Sequence, residues 1–197
     1  MKIGVLSLQG DYINHINLLK EFNVLSSKVR YLSDFDSIDG LIIPGGESTA
    51  ISNLIEKENL HKVISQFINT KPVYGTCAGL ILLSSVILNN NPSNKNIRSF
   101  KTLDVEIERN GWGRQVDSFA ENIQIKSFKK DFKAIFIRAP KIKRLNKDIE
   151  VLSEFNGTPV MIRKDNVLGT TFHPELTKDI RIHKYFIKMI EEYKIAC

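Results

Sequence analysis

Two kinds of apolar pattern alternate along the first half of the chain. A short unbroken run, Ile3-Gly4-Val5-Leu6-Ser7-Leu8, reads as a strand buried on both faces of a parallel sheet, and Val24 to Leu32 and Gly40-Leu41-Ile42-Ile43 read as the next two strands. Between them, apolar residues recur at helical spacing. Tyr12, Ile16, Leu19 and Phe22 follow Asp11, which can cap a helix there, and Leu60, Val63, Ile64, Phe67 and Ile68 form a second stripe. That second helix hands over at Lys71-Pro72 to a strand ending near Gly75, and Leu80-Ile81-Leu82-Leu83 then reads as a buried helix. Strand and helix in alternation predict a doubly wound α/β domain, whose sites gather beyond the C-terminal ends of its strands.

The second half changes period. Leu103, Val105 and Ile107 alternate with Asp104, Glu106 and Glu108, the pattern of a half-buried strand. Ile123-Gln124-Ile125 and Ala134-Ile135-Phe136-Ile137 read as further strands. Glu150 to Phe155, Asn156-Gly157 and Val160 to Arg163 predict a hairpin, followed by a strand from Val167 to Phe172. Ile182, Phe186, Met189, Ile190 and Tyr193 mark a C-terminal helix. An asparagine-rich stretch, about residues 89–98, reads as a surface loop.

Candidate chemistry falls where strands end. Pro72-Val73-Tyr74-Gly75-Thr76-Cys77-Ala78-Gly79 has the form of a nucleophile elbow, in which small flanking residues let a strand and helix pass closely and push one side chain into a cleft. Cys77 is that side chain. Taken alone, Gly75-Thr76-Cys77-Ala78-Gly79 also suits an inert buried cysteine. A second strand end, Phe172-His173-Pro174-Glu175, offers an imidazole and a carboxylate two residues apart, able to act as base and orienter. Pro44-Gly45-Gly46-Glu47-Ser48-Thr49 follows a third strand; its paired glycines could form an oxyanion hole or a phosphate cradle, but no Walker lysine accompanies them. Arg109-Asn110-Gly111-Trp112-Gly113-Arg114-Gln115 could clamp a carboxylate or be an ordinary exposed turn.

Composition narrows the setting. The chain has 197 residues, 42% of them hydrophobic, which suits one globular domain spanning 1–197. No run reaches the roughly 18 apolar residues of a membrane span, and neither a leader peptide nor a disulfide framework is visible, so a cytoplasmic protein is expected. Cys197, the other cysteine, reads as a terminal bystander. The net charge of +6 raises the question of nucleic acid. Its densest stretches, Lys126 to Lys133 and Lys141 to Lys147, are interleaved with apolar residues and, in the first, with Asp131, so they read as solvated faces, and no nucleic-acid partner is expected. His15, His61 and His183 fall in helical segments and read as surface or packing residues; with no histidine–cysteine cluster, no metal site is expected.

The turn at Pro44, the elbow at Cys77 and Phe172-His173-Pro174-Glu175-Leu176 together resemble the class I, triad-type glutamine amidotransferases. Leu8-Gln9-Gly10, the Glu108 to Gln115 segment and Phe136-Ile137-Arg138-Ala139-Pro140 narrow the resemblance to glutaminase subunits of pyridoxal phosphate synthases. It covers nearly the whole chain; the asparagine-rich insertion and Asp11, where many members have a small residue, depart from it. The resemblance implies a single-domain, flavodoxin-like three-layer α/β fold, with a central, mostly parallel sheet flanked by helices and a β-rich second half. It implies hydrolysis of L-glutamine to glutamate and ammonia without a cofactor, through Cys77, His173 and Glu175 and a glutamyl thioester. Gly46 and Ala78 would supply the oxyanion hole, and Gly45, Gly46, Glu47, Arg109, Ile137 and Arg138 would hold the substrate. It further implies a partner, the TIM-barrel synthase subunit, which takes up the ammonia, completes the oxyanion hole and docks around Gln9, Gly10 and the Gly46 turn. Three other readings compete: the glutaminase of a different amidotransferase, a cysteine hydrolase of protease or chaperone type, and a non-catalytic scaffold for the synthase.

Overall fold

The computed structural model describes residues 1–88, 97–112 and 118–196. Among them, seven strands form the central sheet in the order β10-β11-β12-β4-β3-β1-β2. These are β1 Lys2–Leu6, β2 Leu25–Val29, β3 Gly40–Ile43, β4 Val73–Thr76, β10 Glu150–Phe155, β11 Thr158–Lys164 and β12 Val167–Thr170. The five strands from β12 to β2 run parallel, and β11 and β10 extend the sheet antiparallel as the expected hairpin. A sheet of β5 Ser84–Leu88, β6 Leu103–Glu108 and β9 Lys141–Leu145, and a pair of β7 Phe119–Ile123 with β8 Phe132–Phe136, complete the β structure.

Side-chain alternation along the central strands separates two cores. Leu6, Leu41, Ile43, Val73, Ile162 and Val167 face one side, beneath α2 Ser48–Lys57, α3 His61–Thr70 and α4 Ala78–Leu83. Ile3, Val5, Ile42, Tyr74, Met161 and Leu168 face the other, beneath α1 Tyr12–Lys20 and α5 Arg181–Ala196. Period two in a parallel strand therefore serves two apolar layers, which is why these segments read as continuous hydrophobic runs. The expected three-layer α/β architecture is present.

Several details differ from the sequence reading. The apolar run after the elbow gives only six helical residues, and β5 follows at once; the Ser84 hydroxyl donates to the Ile81 carbonyl (2.7 Å) as the helix ends. The Lys141 to Lys147 stretch includes a strand, because its cations lie across from the acidic face of β6: Arg144 meets Glu106 at 2.6 Å and Lys143 meets Glu108 at 3.4 Å. The strand read at 123–125 lies earlier, where Phe119 stacks on Phe136 across the β7–β8 ladder. Gln124 and Lys126 turn instead to β10, through bonds with the Ser153 hydroxyl (2.6 Å) and the Leu152 carbonyl (2.9 Å). Asp11 precedes α1 without capping it by its side chain. Residues 89–96 of the asparagine-rich loop lie outside the described residues, as do Gly113, Arg114, Gln115 and Cys197. The end of that stretch is not surface loop: Ile97 is buried in the first core, and Arg98 pairs with Glu56 at 2.9 Å. No helix among the described residues is long and apolar enough to cross a membrane.

Candidate active site

Where β3, β4 and β12 end, their next residues converge on a cavity of about 220 Å³. Cys77 follows β4 with φ +47° and ψ −100°, a conformation that L-residues rarely adopt. Its neighbours explain how that strain is held. A side chain at Gly79 would overlap the Ile43 carbonyl, and one at Gly75 would come within 2.7 Å of the Gly79 backbone. Only glycines allow β3, β4 and α4 to meet this closely. The Cys77 amide donates to the Thr170 carbonyl at 2.8 Å, tying the elbow to β12, and the thiol faces the cavity 3.9 Å from the Ile137 carbonyl.

β12 delivers the second group. His173 lines the cavity, with its amide donating to the Ile135 carbonyl (2.8 Å), while Glu175 lies buried behind it in a 3-10 turn, Pro174–Leu176. The His173 Nδ1–H donates to Glu175 Oε1 at 2.7 Å, a charge-assisted bond that fixes the ring's tautomer and orientation. Burial opposes charge on this imidazole, but its contacts with Cys77 and Glu175 outweigh that and raise its pKa to about 10. The surroundings of the ring thus stabilise the imidazolium that forms when it takes up a proton. Asp11 also brings a ligand-type atom within 4.8 Å of His173 and Glu175. The groups on His173 and Glu175 are already joined to each other, however, so this geometry favours proton chemistry over metal ligation.

The residues expected from sequence are largely gathered here. Cys77, Gly46, Glu47, Arg109, Ile137, Arg138 and His173 all line the cavity. Gly45 sits behind the His173 ring, where any side chain would overlap the imidazole. Ala78 begins α4 beside Cys77. Arg138 has φ +44°, so its connection from β8 is also strained. Glu47 does more than expected: its carboxylate caps α2 by accepting from the amides of Thr49 (3.2 Å) and Ala50 (2.6 Å), and it pairs with Arg109 at 3.2 Å.

Two residues take roles here that sequence reasoning did not assign to them. Gln9 braces the glycine turn, its side-chain oxygen accepting from the Glu47 amide at 2.9 Å, while the Asp11 amide donates to the Gly45 carbonyl at 3.1 Å. Gly10, with φ +94°, is required because a side chain would overlap that same carbonyl. The Gln9-Gly10 pair directly after a buried strand was the available signal. His15 is the other: read as surface or packing, it is fully buried 3.5 Å from Glu175 Oε2. A lone helical histidine offers no local signal for that.

Known proteins resemble this chain along nearly its whole length. The family model of the SNO glutamine amidotransferase family matches residues 5–192. A pyridoxal 5'-phosphate synthase subunit PdxT from Fervidobacterium nodosum is 47% identical over 195 residues, covering 98% of this chain and 100% of the relative. One of the same name from Thermosipho africanus is 46% identical over 193 residues, with the same coverage. A crystal structure of a glutamine amidotransferase superposes with a TM-score of 0.88 at 36% identity, covering 96% of this chain and 98% of the other. A putative GMP synthase protein from Thermoplasma acidophilum, 16% identical with a TM-score of 0.70 and covering 100% of this chain and 96% of its own, shares the fold. Matched over residues 5–192 and 46–47% identical to these relatives over nearly its full length, the chain belongs to the SNO glutamine amidotransferase family.

Proposed function

We propose that this chain is the glutaminase subunit of a pyridoxal 5'-phosphate synthase, its whole length acting as one domain in the cytoplasm. The carrying observation is the convergence of Cys77 and His173 in one cavity at the strand ends, with Glu175 buried behind the imidazole at 2.7 Å. Cys77 sulfur, its proton passed to His173, adds to the side-chain carboxamide carbon of L-glutamine. The oxygen of the tetrahedral intermediate takes the negative charge, and the amides of Gly46 and Ala78 are the donors proposed for it, each typically worth about 3 kcal/mol at the barrier. His173 returns the proton to the departing nitrogen, the carbon–nitrogen bond breaks, and ammonia leaves a glutamyl thioester. Water, deprotonated by His173, then cleaves the thioester to glutamate and frees the thiol. Glu175 keeps the ring aligned throughout. Arg109 and Arg138 suit the substrate's α-carboxylate and Glu47 its α-ammonium, with Gly45, Gly46 and Ile137 shaping the wall between them.

Ammonia released to water would be protonated and lost to the synthesis, so the product passes to a docked TIM-barrel synthase subunit. The relatives' name as synthase subunits supports that partner. Glutamate release from L-glutamine, measured with and without the cognate synthase subunit, tests the reading. Turnover that rises on adding the partner and falls at least about 1,000-fold in Cys77→Ala is expected. No glutamate from a demonstrated wild-type complex would overturn it in favour of the scaffold.

A further inference from the structure

Behind Glu175 lies a second buried pair of titratable groups that the triad chemistry does not use. His15 on α1 and His183 on α5 are both fully buried, and His15 Nδ1 lies 2.9 Å from His183 Nε2. His15 Nε2 lies 3.5 Å from Glu175 Oε2 and 3.4 Å from the Thr76 hydroxyl, and the Tyr74 ring stands edge-on to both imidazoles. Glu175 Oε2 has no hydrogen-bond partner of ordinary length, and neither does His183 Nδ1. Burial lowers the pKa of both histidines, so each is neutral and carries a single N–H.

Only one arrangement of those two protons is electrostatically sound. If His15 donated from Nδ1, the lone pair on Nε2 would face the Glu175 carboxylate, and His183 would bury an N–H with no acceptor. With the protons on Nε2 of both rings, His183 donates to His15, His15 points a donor at Glu175 Oε2, and the group left over is an acceptor, the cheaper kind of buried orphan. Resting on the triad reading above, we propose that His15, set in its tautomer by His183, is a positioning residue. Its Nε2–H holds the rear oxygen of Glu175, leaving the front oxygen committed to His173. A buried carboxylate without that donor could rotate or take up a proton, and either change weakens its hold on the catalytic imidazole.

The test is a substitution series at His15 in the complex with the synthase subunit. Glutamine side-chain nitrogen can stand where imidazole Nε2 stood, asparagine reaches only as far as Nδ1, and leucine supplies no donor. We expect His15→Leu and His15→Asn to lower kcat roughly 10- to 100-fold with KM within about twofold, and His15→Gln to stay within about threefold of wild type. A second readout needs no turnover: the pH midpoint for alkylation of Cys77, followed by mass spectrometry, should move upward in the leucine and asparagine variants only. A purely structural role would order the variants by melting temperature and leave that midpoint in place. Equal behaviour of His15→Gln and His15→Asn in kcat and midpoint would overturn the proposal even if His15→Leu does not fold. A wild-type complex that releases no glutamate would instead overturn the triad reading beneath it.

Discussion

The cavity has two unlike walls. The one carrying Cys77, Gly45 and His173 grows from β3, β4 and β12, adjacent strands of the central sheet, and backbone bonds to Thr170 and Ile135 fix its residues. The opposite wall, with Arg109, Ile137 and Arg138, leaves β6 and β8, which belong to the small outer sheets. There Arg109 is held by one ion pair, and the backbone takes positive φ at both Asn110 and Arg138. Under the proposed function, the contrast separates two tasks. Proton transfer and nucleophilic attack tolerate errors of only about a few tenths of an ångström and need a rigid mount. Recognition of a charged amino acid can rest on long cations carried by connecting loops.

That contrast can be broken most severely at Gly45. Gly45→Ala would drive a methyl group into the His173 ring, with no flexible side chain to yield. Glutaminase kcat is expected to fall about 100-fold or more, with about 1–3 kcal/mol lost from stability by denaturant titration. The loop wall should respond differently: Arg138→Ala is expected to raise KM for glutamine about 10-fold while kcat changes less than about threefold. A large fall in kcat with KM unchanged would mean that Arg138 serves the chemistry and that the two walls are not functionally distinct.

A smaller effect separates the buried histidines by pH. His183 is held neutral by burial, its pKa lowered to about 4 from 6.5, so its contribution to stability is complete above pH 6.5 and drains as pH falls toward 4. For His173 the sign is opposite: raised to about 10, its contribution is complete below pH 6.5 and drains as pH rises toward 10. His183→Phe should therefore flatten the acid limb of a stability–pH curve, by up to about 1.4 kcal/mol per pH unit, and leave the alkaline limb alone. Thermal or urea unfolding across pH 4 to 10 would measure both limbs.

Much of this was legible in sequence because its signals are local. Gly75 and Gly79 announce the elbow around Cys77, and continuous apolar runs announce β1, β3, β4 and β12. Part of what escaped depends on partners distant in the chain. β9 is recognisable only opposite the acidic face of β6, and the Lys141 to Lys147 charges conceal its apolar positions. β5 follows α4 with no turn residue to mark the change. Glu47 reads as a substrate contact, although its carboxylate also caps the helix that it begins. His15 and His183 are separated by 168 positions, and only folding brings them together behind Glu175.

The proposed glutaminase activity requires Cys77 to be a nucleophile toward glutamine. Treating the complex with an electrophilic glutamine analogue and mapping the adduct by mass spectrometry tests it most directly. One adduct is expected, on Cys77 and not Cys197, formed much more slowly in His173→Asn and suppressed by excess L-glutamine. Glutamate release from a complex whose Cys77 stays unmodified, or equal labelling of Cys77 and Cys197 that glutamine does not suppress, would contradict it.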